Sequence, residues 1–273
     1  MASWNGGRPA SSTVIPIGFG LLLLAVCAAA LVSVVGLALV QRLVSSERRK
    51  QQNDVTGFIF AVVGVVYAVL LGLVVVAVWG DYETTRDTTY READELAEIF
   101  WLGHRLPPAE GHQLQELTRS YAQVVVDEEW PLMARGESSP RAWALIDEIR
   151  LTLQNQDPNT DAEQVLYDQG LQRIHDLADA RRDRLVESRE GIPRILWVVL
   201  VVGAIVTVSF TYLFGMDSNT THTLMVAALA LVIGLVLFTI GSLEYPFSGN
   251  VHLSPEAFNQ VLGRFESSKL SLL

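Results

Sequence analysis

No Asp, Glu, Lys or Arg occurs in four stretches of this chain: Ile17 to Val40, Gly57 to Val78, Ile195 to Phe214 and Leu224 to Leu243. Each is long enough for a helix rising 1.5 Å per residue to cross a hydrocarbon core of about 30 Å, so the chain reads as an integral membrane protein. The same absence argues against proton relays, ion-coupled carriers and voltage sensors, which set ionisable groups within their spans. Cysteine is almost missing too. Cys27 stands alone, which excludes an intrachain disulfide framework and a cysteine-rich metal site. His104, His112, His175, His222 and His252 occur singly, without His-xxx-His or zincin spacing. Nor is there a nucleophile elbow, phosphate loop or dinucleotide fingerprint, so neither enzymatic activity nor a cofactor or metal centre is expected.

What charge there is lies in the middle. The net charge is −10, and the segment from Trp79 to Ile192 holds 24 acidic against 12 basic side chains. Such a segment repels nucleic acid and anionic lipid, and it offers an acidic surface to a protein partner. The chain therefore divides into a polar N-terminal tail (1–16), a first transmembrane hairpin (17–78), an acidic soluble domain (79–192), a second hairpin (193–243) and a C-terminal tail (244–273). Leu24-Ala25-Val26-Cys27 has the outline of a lipoprotein cleavage box. Val26 is large for its position there, however, and the apolar run continues to Val40, so it reads as a span.

The middle is helix-patterned throughout. Leu96, Ile99, Phe100 and Gly103 share a stripe until Pro107-Pro108 stops it. A second helix carries Leu114, Leu117, Tyr121, Val124 and Val125 and is expected to end near Trp130-Pro131. Ser139-Pro140 reads as an N-cap with proline in the first turn, opening a third helix with Trp143, Ile146, Ile149 and Leu153 inward. Thr160 and Glu163 have capping-box spacing before a fourth helix, with Gly170, Ile174, Leu177 and Ala178 on its inner face. The fold class is all-α: four transmembrane helices in two hairpins flank a helical bundle whose first and last helices extend the second and third spans. Asp127-Glu128-Glu129 is the densest acidic cluster. Consecutive helical residues diverge by about 100°, so it reads as a solvated helix end rather than a cation site.

The second span carries the strongest local pattern. Gly57, Ala61, Gly64, Ala68 and Gly72 repeat small residues, a face that lets two backbones approach closely, within one subunit, between subunits or around a pore. A pore needs no charged ring, since an apolar constriction can gate by dewetting. Orientation is contested by the charges. Arg42, Arg48, Arg49 and Lys50 in the short first loop place that loop inside and the acidic domain outside, whereas Arg181, Arg182, Arg184, Arg189 and Arg194 favour the reverse. Short loops are the better-behaved evidence, so both termini and the domain are expected on the extracytoplasmic side of the plasma (inner) membrane.

Five motifs in order resemble a bacterial integral-membrane family described as bestrophin-like. They are Asn53-Asp54-Val55-Thr56-Gly57-Phe58-Ile59-Phe60 leading to Tyr67-Ala68-Val69-Leu70-Leu71-Gly72, then Glu129-Trp130-Pro131, Tyr212-Leu213-Phe214-Gly215, and Tyr245-Pro246-Phe247-Ser248-Gly249. The resemblance implies an architecture like that of bestrophins, pentameric anion channels with two helical hairpins flanking helical soluble structure and an apolar neck on the second membrane helix. By that analogy Phe60, Gly64, Tyr67 and Leu71 line the pore, and the domain lies in the cytoplasm, against the first-loop charges. Two functions remain open: a homo-oligomeric anion-permeable channel with the helical domain as vestibule, or a membrane-anchored interaction or sensing module whose acidic bundle binds a protein.

Overall fold

The computed structural model describes residues 19–189, 191–248 and 251–270, and among these no strand occurs. Among the described residues, four helices are long and apolar enough to cross a membrane. The chain forms two compact units, one built from the apolar runs and one from most of the charged middle together with residues 253–270. The N-terminal tail and Gly249 lie outside the described residues.

In the membrane unit, α1 (Phe19–Leu43) and a short α2 (Ser46–Lys50) lead into α3 (Asn53–Leu102), with α8 (Arg194–Thr211) and α9 (Asn219–Leu243) completing the set. Helix α1 runs against α9, where Gly234 allows contact, since a Cβ there would stand 2.9 Å from the Val26 side chain. The unit's core gathers Leu37, Tyr67, Leu71, Val74, Val78, Leu200, Val226, Ile233 and Ile240. Fifty residues at 1.5 Å each make α3 about 75 Å long, more than twice what a hydrocarbon core takes up. Asp81 therefore begins no new helix, and the expected extension of the second span is observed. The expected extension into the third span is not. Helix α7 (Asp161–Glu187) stops six residues short of the start of α8 at Arg194, because Pro193 lacks an N–H and disfavours helical geometry at Ile192.

The second unit takes the C-terminal part of α3, then α4 (Pro108–Val124), α5 (Trp130–Met133), α6 (Pro140–Gln154), α7 (Asp161–Glu187) and α10 (Glu256–Leu270). The second helix of the bundle does not stop at Trp130-Pro131. A π-helical turn, Val125–Glu129, joins α4 to α5, and the run ends at Met133. Gly103 and Gly111 meet backbone to backbone, each leaving no room for a Cβ beside the other's carbonyl oxygen. The capping box at α7 is present, with Thr160 and Glu163 exchanging side-chain to backbone hydrogen bonds. Ser139 precedes α6 as expected but makes no side-chain cap there; its hydroxyl donates to Glu128 instead. The tail beyond residue 244 is not merely a tail. Phe258, Val261 and Phe265 are buried, and Phe265 stacks on Phe100 with ring centroids 3.9 Å apart.

Candidate functional site

The membrane part of α3 has two unlike faces. Tyr67, Leu71, Val74 and Val78, spaced by four, three and four residues, turn into the unit's own core. Tyr67 donates a hydrogen bond of 2.9 Å to the carbonyl of Leu200, and a Cβ on Gly203 would stand 2.5 Å from the Tyr67 ring. Glycine at 203 is thus what lets α8 accept the tyrosine. Two turns nearer the start of α3, Phe60 meets Phe214 edge-on at 5.7 Å, and a Cβ on Gly57 would stand 3.8 Å from the same ring.

The other face has no such neighbours. Ala61, Val65, Ala68, Gly72 and Val76 fall on one helical stripe and are all exposed, Val65 at 64% and Val76 at 70%. A Cβ on Gly64 or Gly72 would meet nothing within 4 Å. The small-residue pattern therefore divides. Gly57 packs within the chain, while Ala61, Ala68 and Gly72 offer an uncharged apolar surface that this unit leaves open.

The start of α3 is fixed by the loop between α8 and α9. Asn53 exchanges two hydrogen bonds of 2.9 Å with the backbone of Gly215, one through each end of its amide. Arg49, nearly buried, donates to the carbonyls of Tyr212 at 3.2 Å and Phe214 at 3.1 Å, satisfying orphan acceptors at the end of α8. Ser46 donates to Met216, and Lys50 pairs with Asp217. Gly215 lies against the backbone of Ser46 and Lys50, where any side chain would collide. Asp54 is exposed in the first turn of α3, where an acid suits the helix dipole.

In the second unit the Glu129-Trp130-Pro131 motif surrounds a buried ion-pair network. Glu92, Glu129, Arg181 and Arg184 are each fully buried. Arg184 bridges both carboxylates, donating to Glu92 at 2.8 Å and to Glu129 at 2.9 Å. Arg181 donates to Glu129 and to the Ser139 carbonyl, and its guanidinium carbon stands 4.3 Å from the Trp143 ring centroid. Tyr121 donates to Glu92 at 2.6 Å, and the Ser139 N–H donates to Glu129 at 3.0 Å. Two cations thus balance two anions across α3, α4, the π-helical turn and α7. Burial pushes the Glu129 carboxyl up, but the hydrogen bonds from Arg181 and the charge of Arg184 outweigh it and hold the group below the usual carboxylate range. Burial pushes the Tyr121 hydroxyl well up, and Glu92 adds to the effect.

The acidic cluster is therefore not a solvated helix end. Asp127 is exposed, Glu128 pairs with Arg141, and Glu129 lies in the core. The π-helical turn contributes, because one extra residue per turn changes the faces on which successive carboxylates emerge. Trp130 donates to the Leu253 carbonyl at 3.0 Å and meets Phe258 edge-on; Pro131 occupies the first turn of α5. In the membrane unit, Pro246 and Phe247 are buried just after α9. Sequence patterning missed Arg181 and Arg184 as core residues. Their i, i+3 spacing, continuing the Ile174, Leu177 and Ala178 face, was the available signal.

A family model described as Bestrophin-like domain matches residues 27–258. Among solved structures, a bacterial bestrophin homologue from Klebsiella pneumoniae carrying a single substitution superposes with a TM-score of 0.65 at 13% identity, covering 90% of this chain and 99% of that one. A second structure of a homologue from the same organism gives a TM-score of 0.61 at 13% identity, with coverage of 90% and 97%. A structure described as a membrane protein gives 0.67 at 12% identity, with coverage of 89% and 98%. At these identities the likeness shows the fold. No curated protein matches the chain.

Proposed function

We propose, from the premise that this chain belongs to the Bestrophin-like domain family, that it is a homo-oligomeric, anion-permeable channel of the bacterial inner membrane, with the open face of α3 lining a shared axis. The observation that carries this reading is the stripe from Ala61 to Val76, uncharged, apolar and without a partner in its own unit. Small side chains leave width for an ion, and an apolar wall can open and close by wetting without any charged ring. Tyr67 and Leu71 face the unit's own core, so in this channel they set the rotation of α3, while Ala61, Val65, Ala68 and Gly72 face the ion. The family-motif residues Asn53, Tyr212, Phe214 and Gly215 hold the start of α3 in register; Glu129, Trp130 and Pro131 stiffen the helical unit. An acidic surface repels anions, so its carboxylates belong away from the permeation path.

Planar bilayers test the proposal. Purified protein is expected to carry current in a chloride gradient, with a reversal potential that follows chloride. No conductance in chloride or cation gradients, at several voltages and pH values, overturns it, as does a monomeric mass in detergent. The excess of 24 acidic over 12 basic side chains in the middle segment favours a second reading, a membrane-anchored module that binds a basic protein surface. That reading predicts an oligomer without current.

A further inference from the structure

The membrane unit contains a cavity that neither reading uses. It has a volume of about 770 Å³, and its lining includes Asn53, Ser218 and His222, beside the loop that joins α8 to α9, and Phe60, Met225 and Leu229 further along the spans. That volume falls in the range of organic ligand sites, about 300–1,000 Å³, and is far too large for a lone ion.

The hydrogen bonds define what the polar end can still offer. Both ends of the Asn53 amide are used by Gly215. The Ser218 hydroxyl oxygen accepts from the Thr221 N–H and from the Thr221 hydroxyl, which leaves its own hydrogen to donate. His222 is buried, and its Nε2 stands 2.9 Å from the carbonyl oxygen of Thr211. A carbonyl only accepts, so Nε2 carries a proton, and in the neutral ring Nδ1 is left as an acceptor. Asp217, the one charged lining residue, is paired with Lys50. The polar end therefore presents a donor and an acceptor but no free charge, which suits an ester or hydroxyl better than a phosphate or an amine.

The apolar end has a length. From Ser218 to Leu229 is eleven residues, about 16 Å along a helix, or about half of a 30 Å hydrocarbon core. One leaflet is that deep. Met225, 58% exposed, also lines the cavity, which therefore opens sideways to whatever surrounds the spans. We infer that this cavity holds one acyl chain of a bilayer phospholipid, with its glycerol ester region at Ser218 and His222 and its chain against Phe60, Met225 and Leu229. The inference stands whether or not the protein conducts.

Full-length protein in vesicles of phosphatidylglycerol and phosphatidylethanolamine, with a trace of phospholipid bearing a diazirine on one acyl chain, provides the test. After irradiation and peptide mapping, label is expected to concentrate on α9 around Met225 and Leu229, above its level on the exposed face of α8 at Val198 and Val202. Leu229→Trp, which fills the cavity, is expected to lower the α9 label several-fold and leave α8 unchanged. Ser218→Ala adds no bulk and is expected to lower it about fivefold, the scale of one net hydrogen bond. It decides the matter if the tryptophan variant does not fold. Equal labelling of α8 and α9, unmoved by either substitution, overturns the site in favour of an ordinary lipid annulus. A disulfide forming between two copies of a Met225→Cys variant in the same vesicles also overturns it, because a second chain then fills the space.

Discussion

Arg181 and Arg184 look, in the sequence, like charges flanking a membrane span, and the structure makes them the largest fully buried side chains in the helical unit. Leaving a buried carboxylate without its guanidinium costs about 3–5 kcal/mol, so Arg184→Ala is expected to lower the thermal unfolding temperature in detergent sharply. Arg141→Ala breaks an exposed pair with Glu128 and is expected to cost about 1 kcal/mol or less. Comparable losses in the two variants would refute the network's role. Two carboxylates give stability opposite pH dependences. Glu129, held below its ordinary range, contributes stability that is present above the unfolded carboxylate pKa and lost as pH falls through its lowered folded value. Glu244, at the end of α9, accepts from Trp197 and from the Ile192 N–H; burial pushes its carboxyl up and those bonds recover only part of the shift. Its contribution is full below the unfolded pKa and lost as pH rises through the raised folded value. Unfolding temperatures measured across the acid range should show Glu129→Gln flattening the low-pH limb and Glu244→Gln the loss above it. The spacing of Arg181 and Arg184 hinted at an inward face, but the network was not legible beforehand, because its partners lie 52 and 92 positions away.

At the scale of elements, α3 was half legible. Its apolar stretch and its later amphipathic stretch each showed in the sequence, and nothing between Val78 and Asp81 breaks a helix, so continuity followed from the absence of proline. Which face would be open did not follow, since Gly57, Ala61, Gly64, Ala68 and Gly72 read as one stripe until Tyr67 fixes the rotation against Leu200 and Gly203. That division makes a paired prediction. Gly203→Ala places a methyl where the Tyr67 ring stands and is expected to cost about 1–3 kcal/mol in the thermal unfolding of the protein. Gly72→Ala meets nothing in its own chain and gains up to about 1 kcal/mol of helix propensity, so it should unfold no earlier than the parent. Gly72→Leu is expected to shift the mass in detergent toward smaller species; an unchanged mass would show that this face does not touch another copy. Helix α10 escaped notice because Phe258, Val261 and Phe265 make too short a run to stand out, and their burial depends on partners such as Trp130 and Phe100 far up the chain.

For the whole molecule, the four spans were legible from composition alone, because about twenty consecutive uncharged apolar residues have few other uses. The balance of flanking charge changes once burial is known. Arg49 leaves the first loop's account and Arg181 and Arg184 leave the other, so exposed Arg42, Arg48 and Lys50 are set against exposed Arg182, Arg189 and Arg194. With equal numbers the short loop decides by the positive-inside rule, and we propose on that ground that it lies inside. A reporter fused after Leu273 is then expected to be active outside the cytoplasm, and activity inside refutes this orientation. The clasp between Asn53 and Gly215 also dictates an order of events at the ribosome. Its two halves are 162 residues apart, so at 5–20 residues per second the first hairpin waits roughly ten to thirty seconds for its partner to be made. Throughout that interval Arg49 and Asn53 must stay hydrated at the bilayer surface, and the register of α3 is settled only when the last pair of helices arrives.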